Sequence, residues 1–590
     1  MFAAAAAAEA TAAAATVTAT NTAEVDLIQR SARHVLGAQN KAPARQLHQA
    51  EPSAEDMQQA LLRMRAVPFN TPRPVLALGY KGLEADALRN WHLLARKLAT
   101  PGATVTVVAF GGSLTAGYID KPEAWKRAMD GSWVEPMVAW MKAAFPAVSF
   151  RLINAARGAS EVTVAATCWY QYVPQDADLV LVEYSLNGCL EATGQPMCSS
   201  TAMVRVAAYE SFYRRVLRRA PRTALMSVAT FSFNSDTYRQ GLASVEAPNA
   251  FAATGEELHT MIARRYGAPT ASLRDSLYGL MYNDAVAKQL LGETRATIIT
   301  DNVHPTADGF IMFGEIMAYT VRQSLAAVMA SGAEAPGALG AAAAADGSGL
   351  PLPVSPVAAQ QDADTWCREG SSFKPVASCT GRGSCRWETL PWHLDCPHDN
   401  CHMRGYLMKG SGAVLSISVD TSLAAAAGDA AAEDNDSTTG TMDSAAATLA
   451  SAAGLLPAAS DSSARDRSRA ALQQFDRRYL AVTYVQGSSN PAETMAVATV
   501  ACVSGCRCKP VQIEWRKTTN TGMAATEVSA HPRCVVSVTI QANATTGGDD
   551  FAVTGVAVVP FTKKVTINRI DGRHMAAVRA EGDQLPFSWP

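Results

Sequence analysis

Between about residues 90 and 331 the chain alternates two textures, and this alternation limits its fold more than any other feature. "ATVTVVAF" (Ala103–Phe110), "SFRLIN" (Ser149–Asn154), "ADLVLVEY" (Ala177–Tyr184) and "TALMSVATF" (Thr223–Phe231) are apolar, β-branched runs of strand length. Between them lie helix-length segments, "SWVEPMVAWMKAAF", "TAMVRVAAYESFYRRVLRRA" and "TGEELHTMIARRYG"; "PTADGFIMFGEIMAYTVRQSLAAVMA" closes the block. Strands that are apolar on both faces, separated by helices, predict a parallel sheet covered on both sides. In "TGEELHTMIARRYG", Thr254 and Glu257 have the spacing of a capping box and Gly267 that of a helix stop. The basic run Tyr213–Ala220 reads as a solvated helix face.

The flanks differ. Residues 1–75 are alanine-rich and then charged, and read as mostly disordered. Their one helical candidate is Ser53–Val67, where Ser53 and Asp56 approximate a capping pattern. Residues 332–362 form a Gly/Ala/Pro linker. From 363 to 575 the helix signals thin out and short alternating runs appear: "GAVLSISVDTSL", "RRYLAVTYVQG", "TMAVATVACV", "CVVSVTIQA" and "DFAVTGVAVVPF". Their regular spacing predicts a β-sandwich or jelly-roll, interrupted by a low-complexity, disordered insertion at 424–465.

Composition excludes some partners. The 590 residues carry a formal net charge of −2, so no global basic field recruits nucleic acid or anionic membrane. No uninterrupted apolar stretch approaches the roughly 18 residues of a membrane span. None of the twelve cysteines precedes Cys168; five lie within Cys367–Cys401 and four within Cys502–Cys534. Such clusters point to disulfides and an extracellular or secretory-pathway location, or else to metal sites in a reducing compartment. "MFAAAAAAEATAAAAT" has no basic n-region and no leucine-rich core, so it is no clear signal peptide. Asn435 and Asn543 sit in glycosylation sequons.

The chemistry begins at "GGSLTAG", where Ser113 follows the first strand on a two-glycine turn. A serine nucleophile needs a base, a group to orient that base, and donors for an oxyanion. "TDNVHPTADGF" supplies Asp301 and His304 three residues apart, at the entry to the closing helix. That spacing lets one loop set a carboxylate against Nδ1 while Nε2 faces the serine. Oxyanion donors belong on loops at the carboxyl ends of neighbouring strands. "INAARGAS" offers the backbone N–H of Gly158 or Ala159, and "EYSLNGC" the side-chain amide of Asn187. Each motif alone is an ordinary turn; their order along the strands is what points to a site.

These four blocks together resemble the SGNH hydrolases, the GDSL esterase/lipase family. "GGSLTAG" is similar to the serine block, "NAARGAS" to the glycine block, "EYSLNG" to the asparagine block and "DNVHPTADG" to the histidine block. The resemblance implies a flavodoxin-like three-layer α/β/α domain that hydrolyses carboxylic esters without cofactor or metal. It implies a triad of Ser113, His304 and Asp301, with an oxyanion hole from the N–H groups of Ser113 and Gly158 (or Ala159) and the amide of Asn187. The chain departs from the family pattern at Gly112, where an aspartate is usual, at Ala159, and at Ser185 and Gly188 around Asn187. The cysteine-containing β-rich tail is similar to that of large, alga-type members.

Other clusters have plainer readings. Cys385, His393, Cys396, His398, Cys401 and His402 have zinc-ligand chemistry, but their spacing favours disulfides. Cys189 and Cys198 would form a disulfide bracing the loop after Asn187. Trp387 and Trp392 fit a small core better than a sugar platform. The expected substrate is a small-molecule or carbohydrate ester, with O-acetyl groups on sugar among the candidates. Two alternatives stand beside hydrolysis: a catalytically weak or dead scaffold whose C-terminal region binds glycan, and an acyltransferase using the same serine.

Overall fold

The computed structural model describes residues 52–88, 90–117, 132–157, 160, 162–186, 202–231, 254–281, 283–299, 304–331, 350–354, 366–391, 402–422, 478–486, 496–513, 520–541 and 550–560. The candidate residues Gly158, Ala159, Asn187 and Asp301 lie outside these, as do Cys189, Cys198, Trp392, His393, Cys396, His398, Cys401 and the two sequons. The segment 424–465 does too.

The first domain is built on six strands: β1 (Tyr80–Lys81), β2 (Thr104–Gly111), β3 (Ser149–Asn154), β4 (Leu179–Glu183), β5 (Ala224–Ala229) and β6 (Thr270–Ser272). Their order is β1-β6-β5-β4-β2-β3. β2 to β6 pair in parallel, and β1 adds an antiparallel edge. Among the five parallel strands this is the 2-1-3-4-5 order of flavodoxin-like sheets, which reverses direction between β2 and β4. β2 shows why the order holds together. Val105, Val107 and Ala109 enter one buried cluster with the helices Trp91–Ala99, Val134–Ala144 and Ala307–Ser331. Val108 and Phe110 enter another, with Val162–Thr167, Ala202–Arg219 and Glu256–Arg265. Alternate side chains therefore glue helices to both faces, giving three layers.

The body starts earlier than residue 90. Ser53 caps the helix Ala54–Ala66 in a full capping box with Asp56, and Ala60 and Met64 of that helix are buried in the first cluster. Two other expectations are corrected. Glu256–Arg265 is capped by Gly255, not by a Thr254–Glu257 box. The Thr254 hydroxyl instead donates to the Thr230 carbonyl at 2.9 Å, and Glu257 accepts from Arg274. The run Tyr213–Ala220 is not a solvated face either. Arg214 and Arg215 are buried, and they donate to Tyr266 Oη with Pro351 O, and to Ala166 O. Pro351 belongs to the expected linker, so residues 350–354 are docked against the domain. Leu352 O also accepts from Arg265.

The second domain is two antiparallel sheets. The larger joins β15 (Asn520–Val528), β12 (Arg478–Gln486), β17 (Asp550–Pro560), β10 (His402–Lys409) and β9 (Ser384–Pro391), with β7 (Trp366–Glu369) also pairing β17. The smaller runs β14 (Val511–Ile513), β13 (Ala498–Ser504), β16 (Cys534–Ile540), β11 (Ala413–Val419), β8 (Ala377–Gly381). Leu415, Ile417, Val536 and Val538 of the smaller sheet share a core with Leu480, Val482, Val556 and Val558 of the larger. Trp387 packs at its edge against Tyr406, with ring centroids 5.0 Å apart. The sheets thus face each other as a sandwich.

The larger sheet is buried twice over. Ala481, Ala557 and Val559, on the side of their strands opposite Leu480, Val482, Val556 and Val558, belong with Cys367 and Met523 to the cluster beneath the first domain's helices. Cys168 and Cys367 form a disulfide across this junction. The other disulfides among the described residues are Cys379–Cys385, Cys502–Cys508 and Cys506–Cys534, so Cys385 is no zinc ligand. Every described cysteine is bonded, which fits an oxidising compartment. Among the described residues no helix is long and apolar enough to cross a membrane.

Loop length separates these bridges. Cys168–Cys367 spans a sequence separation of 199, Cys379–Cys385 one of 6. By chain entropy the first contributes about 5 kcal/mol and the second about 2 kcal/mol. Replacing Cys168 and Cys367 by serine is expected to lower the unfolding free energy in urea clearly more than replacing Cys379 and Cys385. Equal losses would contradict the junction's role.

Candidate active site

The site lies where the parallel sheet reverses direction. β2 ends at Gly111, and Ser113 is the first residue of a one-turn helix, Ser113–Ala116. Gly117 ends that turn at φ 89°, a left-handed position that suits glycine, and its N–H donates to Ser113 O at 3.0 Å. Gly111 is required for a different reason, namely space. A Cβ there would lie 2.3 Å from Thr115 Oγ1 and 2.8 Å from Glu183 Oε2. Gly112, at φ −84°, has no such backbone requirement.

Glu183, the last residue of β4, supports the turn from below. Its Oε2 accepts from the Gly112 N–H and the Thr115 hydroxyl, each at 3.1 Å, and its Oε1 from the Thr230 hydroxyl at 2.6 Å. The Trp133 indole N–H donates to Thr115 Oγ1 at 3.2 Å, so that hydroxyl's own proton goes to the carboxylate. Asn154 Nδ2 donates to Thr115 O at 2.7 Å from the end of β3. Burial pushes the Glu183 carboxyl above its ordinary value, opposed by its three donors.

His304 arrives from the other side. Residues 300–303 are outside the described set, but the chain on either side is fastened. Ile299 bridges Pro305, and the Thr306 N–H donates to Ile298 O at 2.8 Å. The Thr306 hydroxyl donates to Thr297 O and accepts from the Gly309 N–H. Gly309 lets the helix Ala307–Ser331 approach, since a Cβ there would lie 2.3 Å from Ile298 O. The result is a contact of 2.8 Å between His304 Nε2 and Ser113 Oγ, both partly exposed. With Nε2 unprotonated the serine hydroxyl donates to it, the arrangement that lets imidazole take the proton as oxygen attacks a carbon.

Of the residues expected from sequence, Ser113 and His304 are brought together; Asp301, Gly158, Ala159 and Asn187 lie outside the described residues. Thr115, Asn154 and Glu183 lie inside the serine, glycine and asparagine blocks but had no role assigned there, and Trp133 and Thr230 lie in no block. Only the placement of Glu183 at the end of a buried apolar strand marked it, since a carboxylate buried there must be hydrogen-bonded.

No known protein family's profile matches the chain, and no curated protein matches its sequence. Solved structures do resemble it. A two-domain esterase active on acetylated mannans is 15% identical with a TM-score of 0.48, covering 83% of this chain and 99% of its own. An acetylxylan esterase from Geobacillus stearothermophilus is 14% identical with a TM-score of 0.25, covering 37% of this chain and 94% of its own. A psychrotrophic esterase from Pseudoalteromonas is 15% identical with a TM-score of 0.26, covering 37% of this chain and 97% of its own.

Glu183 gives the site a pH signature. With its carboxyl raised by burial, the folded protein keeps a proton that the unfolded chain has already released. Stability therefore falls as pH rises from the ordinary glutamate value through the raised one. Urea unfolding across that range should show less of this decline in Glu183→Gln than in wild type; identical slopes would contradict the assignment.

Proposed function

We propose that the chain is a serine esterase of the SGNH type. Its substrates would be carboxylic esters with short acyl groups, O-acetyl groups on carbohydrate foremost. The reading is carried by the 2.8 Å approach of His304 Nε2 to Ser113 Oγ at the sheet's point of reversal, where ligands of open α/β sheets bind.

Ser113 Oγ attacks the ester carbonyl carbon while His304 Nε2 accepts the hydroxyl proton. Collapse of the tetrahedral intermediate breaks the bond to the alcohol, which leaves with the proton from His304. Water then attacks the acyl-enzyme, giving its proton to His304, and the carboxylic acid departs as Ser113 recovers its hydrogen. Asp301 is assigned to orient the imidazole and stabilise its charged form. The N–H groups of Ser113 and Gly158 (or Ala159) and the amide of Asn187 are assigned to the oxyanion. The disulfides among the described residues support a location outside the cell or in the secretory lumen.

Turnover of p-nitrophenyl acetate tests the reading; acetylated mannan and xylan are the polymers to assay beside it. Ser113→Ala and His304→Ala should each cost at least about a thousandfold in kcat. Asn187→Ala should cost about a hundred- to a thousandfold. Unchanged turnover in a well-folded Ser113→Ala protein would remove the mechanism altogether.

A further inference from the structure

Arg157 stands immediately before Gly158, one of the residues assigned to the oxyanion, yet its side chain turns away toward the second domain. Its guanidinium pairs with Glu369 Oε1 of β7. Nη2 donates to Tyr172 Oη at 3.0 Å, and the plane lies over Trp169 at 4.5 Å and Tyr172 at 5.4 Å from the ring centroids. Both ends of the ion pair are largely buried, with side-chain exposures of 14% and 5%.

The backbone of the same residue is tied to the nucleophile's strand. The Arg157 N–H donates to Gly111 O at 2.9 Å, two residues before Ser113. The Ser160 hydroxyl donates to Arg157 O at 2.6 Å and reaches Gly111 O at 3.2 Å. Residue 157 therefore has one grip on the end of β2 and another on the second domain.

Glu369 is itself held firmly. It faces Gly555 of β17 in register, and a Cβ on Gly555 would lie 3.0 Å from the Glu369 Cγ. Its N–H donates to Ser372 Oγ, whose hydroxyl donates back to Glu369 O. Two residues earlier on the same face of β7 stands Cys367, bridged to Cys168 next to Trp169. Covalent bond, ion pair and cation–π stack thus converge on one short strand.

We propose that Glu369 is a positioning residue for the active site. Through Arg157 the second domain holds residues 157 and 160 against the end of β2 that leads into Ser113, on either side of the residues assigned to the oxyanion. The sandwich is then part of the hydrolytic machinery rather than only an appended module. This rests on the esterase reading for its kinetic consequence, but not for its structural one.

The test uses the full chain with Glu369→Gln, Glu369→Asp and Arg157→Gln. Hydrogen exchange of the peptide spanning 155–162 should quicken in Glu369→Gln while exchange of β4 and β5 stays as in wild type. On p-nitrophenyl acetate, Glu369→Gln should lower kcat at least tenfold with KM within about twofold, and Glu369→Asp should restore part of it. Arg157→Gln should match Glu369→Gln, and the double variant should be no worse than either, because the two act as one pair. Unchanged exchange at 155–162 would overturn the proposal whatever the enzyme does. Faster exchange with undiminished kcat would overturn the link to the active site. A wild type without esterase activity would instead sink the functional reading and leave the exchange result to decide whether the Arg157–Glu369 pair holds the end of β2.

Discussion

The buried carboxylate of Glu183 is the interaction on which the candidate site depends. It gathers the Gly112 N–H at the end of β2 and the Thr230 hydroxyl just past β5, while standing itself at the end of β4. Three adjacent strand ends are thereby fixed to one group in a place that water does not reach. Burial disfavours its charge, and three donors oppose that cost. Removing any of the donors leaves a lone pair unmatched, so the turn carrying Ser113 is held by a network rather than by its glycines. Gly111 serves that network, because only a residue without a Cβ leaves room for Thr115 and the carboxylate.

A second constraint operates at the junction of the domains. The larger sheet of the sandwich lends one face to the sandwich core and the other to the helices of the first domain. A sheet buried on both faces must be apolar at successive positions, as Leu480-Ala481-Val482 and Val556-Ala557-Val558-Val559 are. Small alanines on the face toward the helices let the sheet approach them closely. The Cys168–Cys367 bond and the Arg157–Glu369 pair then fix how far and in what register the two domains meet.

The order of an α/β domain followed by a β-sandwich was legible because both domains bury long apolar strands. Ala103–Phe110, Ser149–Asn154, Ala177–Tyr184 and Thr223–Phe231 each contain an observed strand. So do the five runs singled out after residue 363. β1 and β6 were invisible, having two and three residues and no pattern to read. β9 and β10 carry Arg386, Glu388, Arg404 and Lys409, charges that hide a strand signal; of the two only β9 is an edge strand of its sheet, where the Arg386 side chain is 66% exposed. Arg214 and Arg215 misled for a complementary reason. A basic run reads as solvated, but these cations are covered because carbonyls at Pro351 and Ala166 come from elsewhere in the chain to meet them. The serine and histidine blocks were readable as local motifs, whereas Glu183 and Glu369 act across the fold and leave no spacing to detect.

The proposed mechanism requires Ser113 to be an activated nucleophile. Its most direct measurement is to treat the folded full-length chain with a fluorophosphonate and locate the adduct by mass spectrometry of its peptides. A single phosphonylated residue, Ser113, is expected, with labelling lost when His304 is replaced by alanine. An unlabelled protein, or an adduct on another serine, would contradict it.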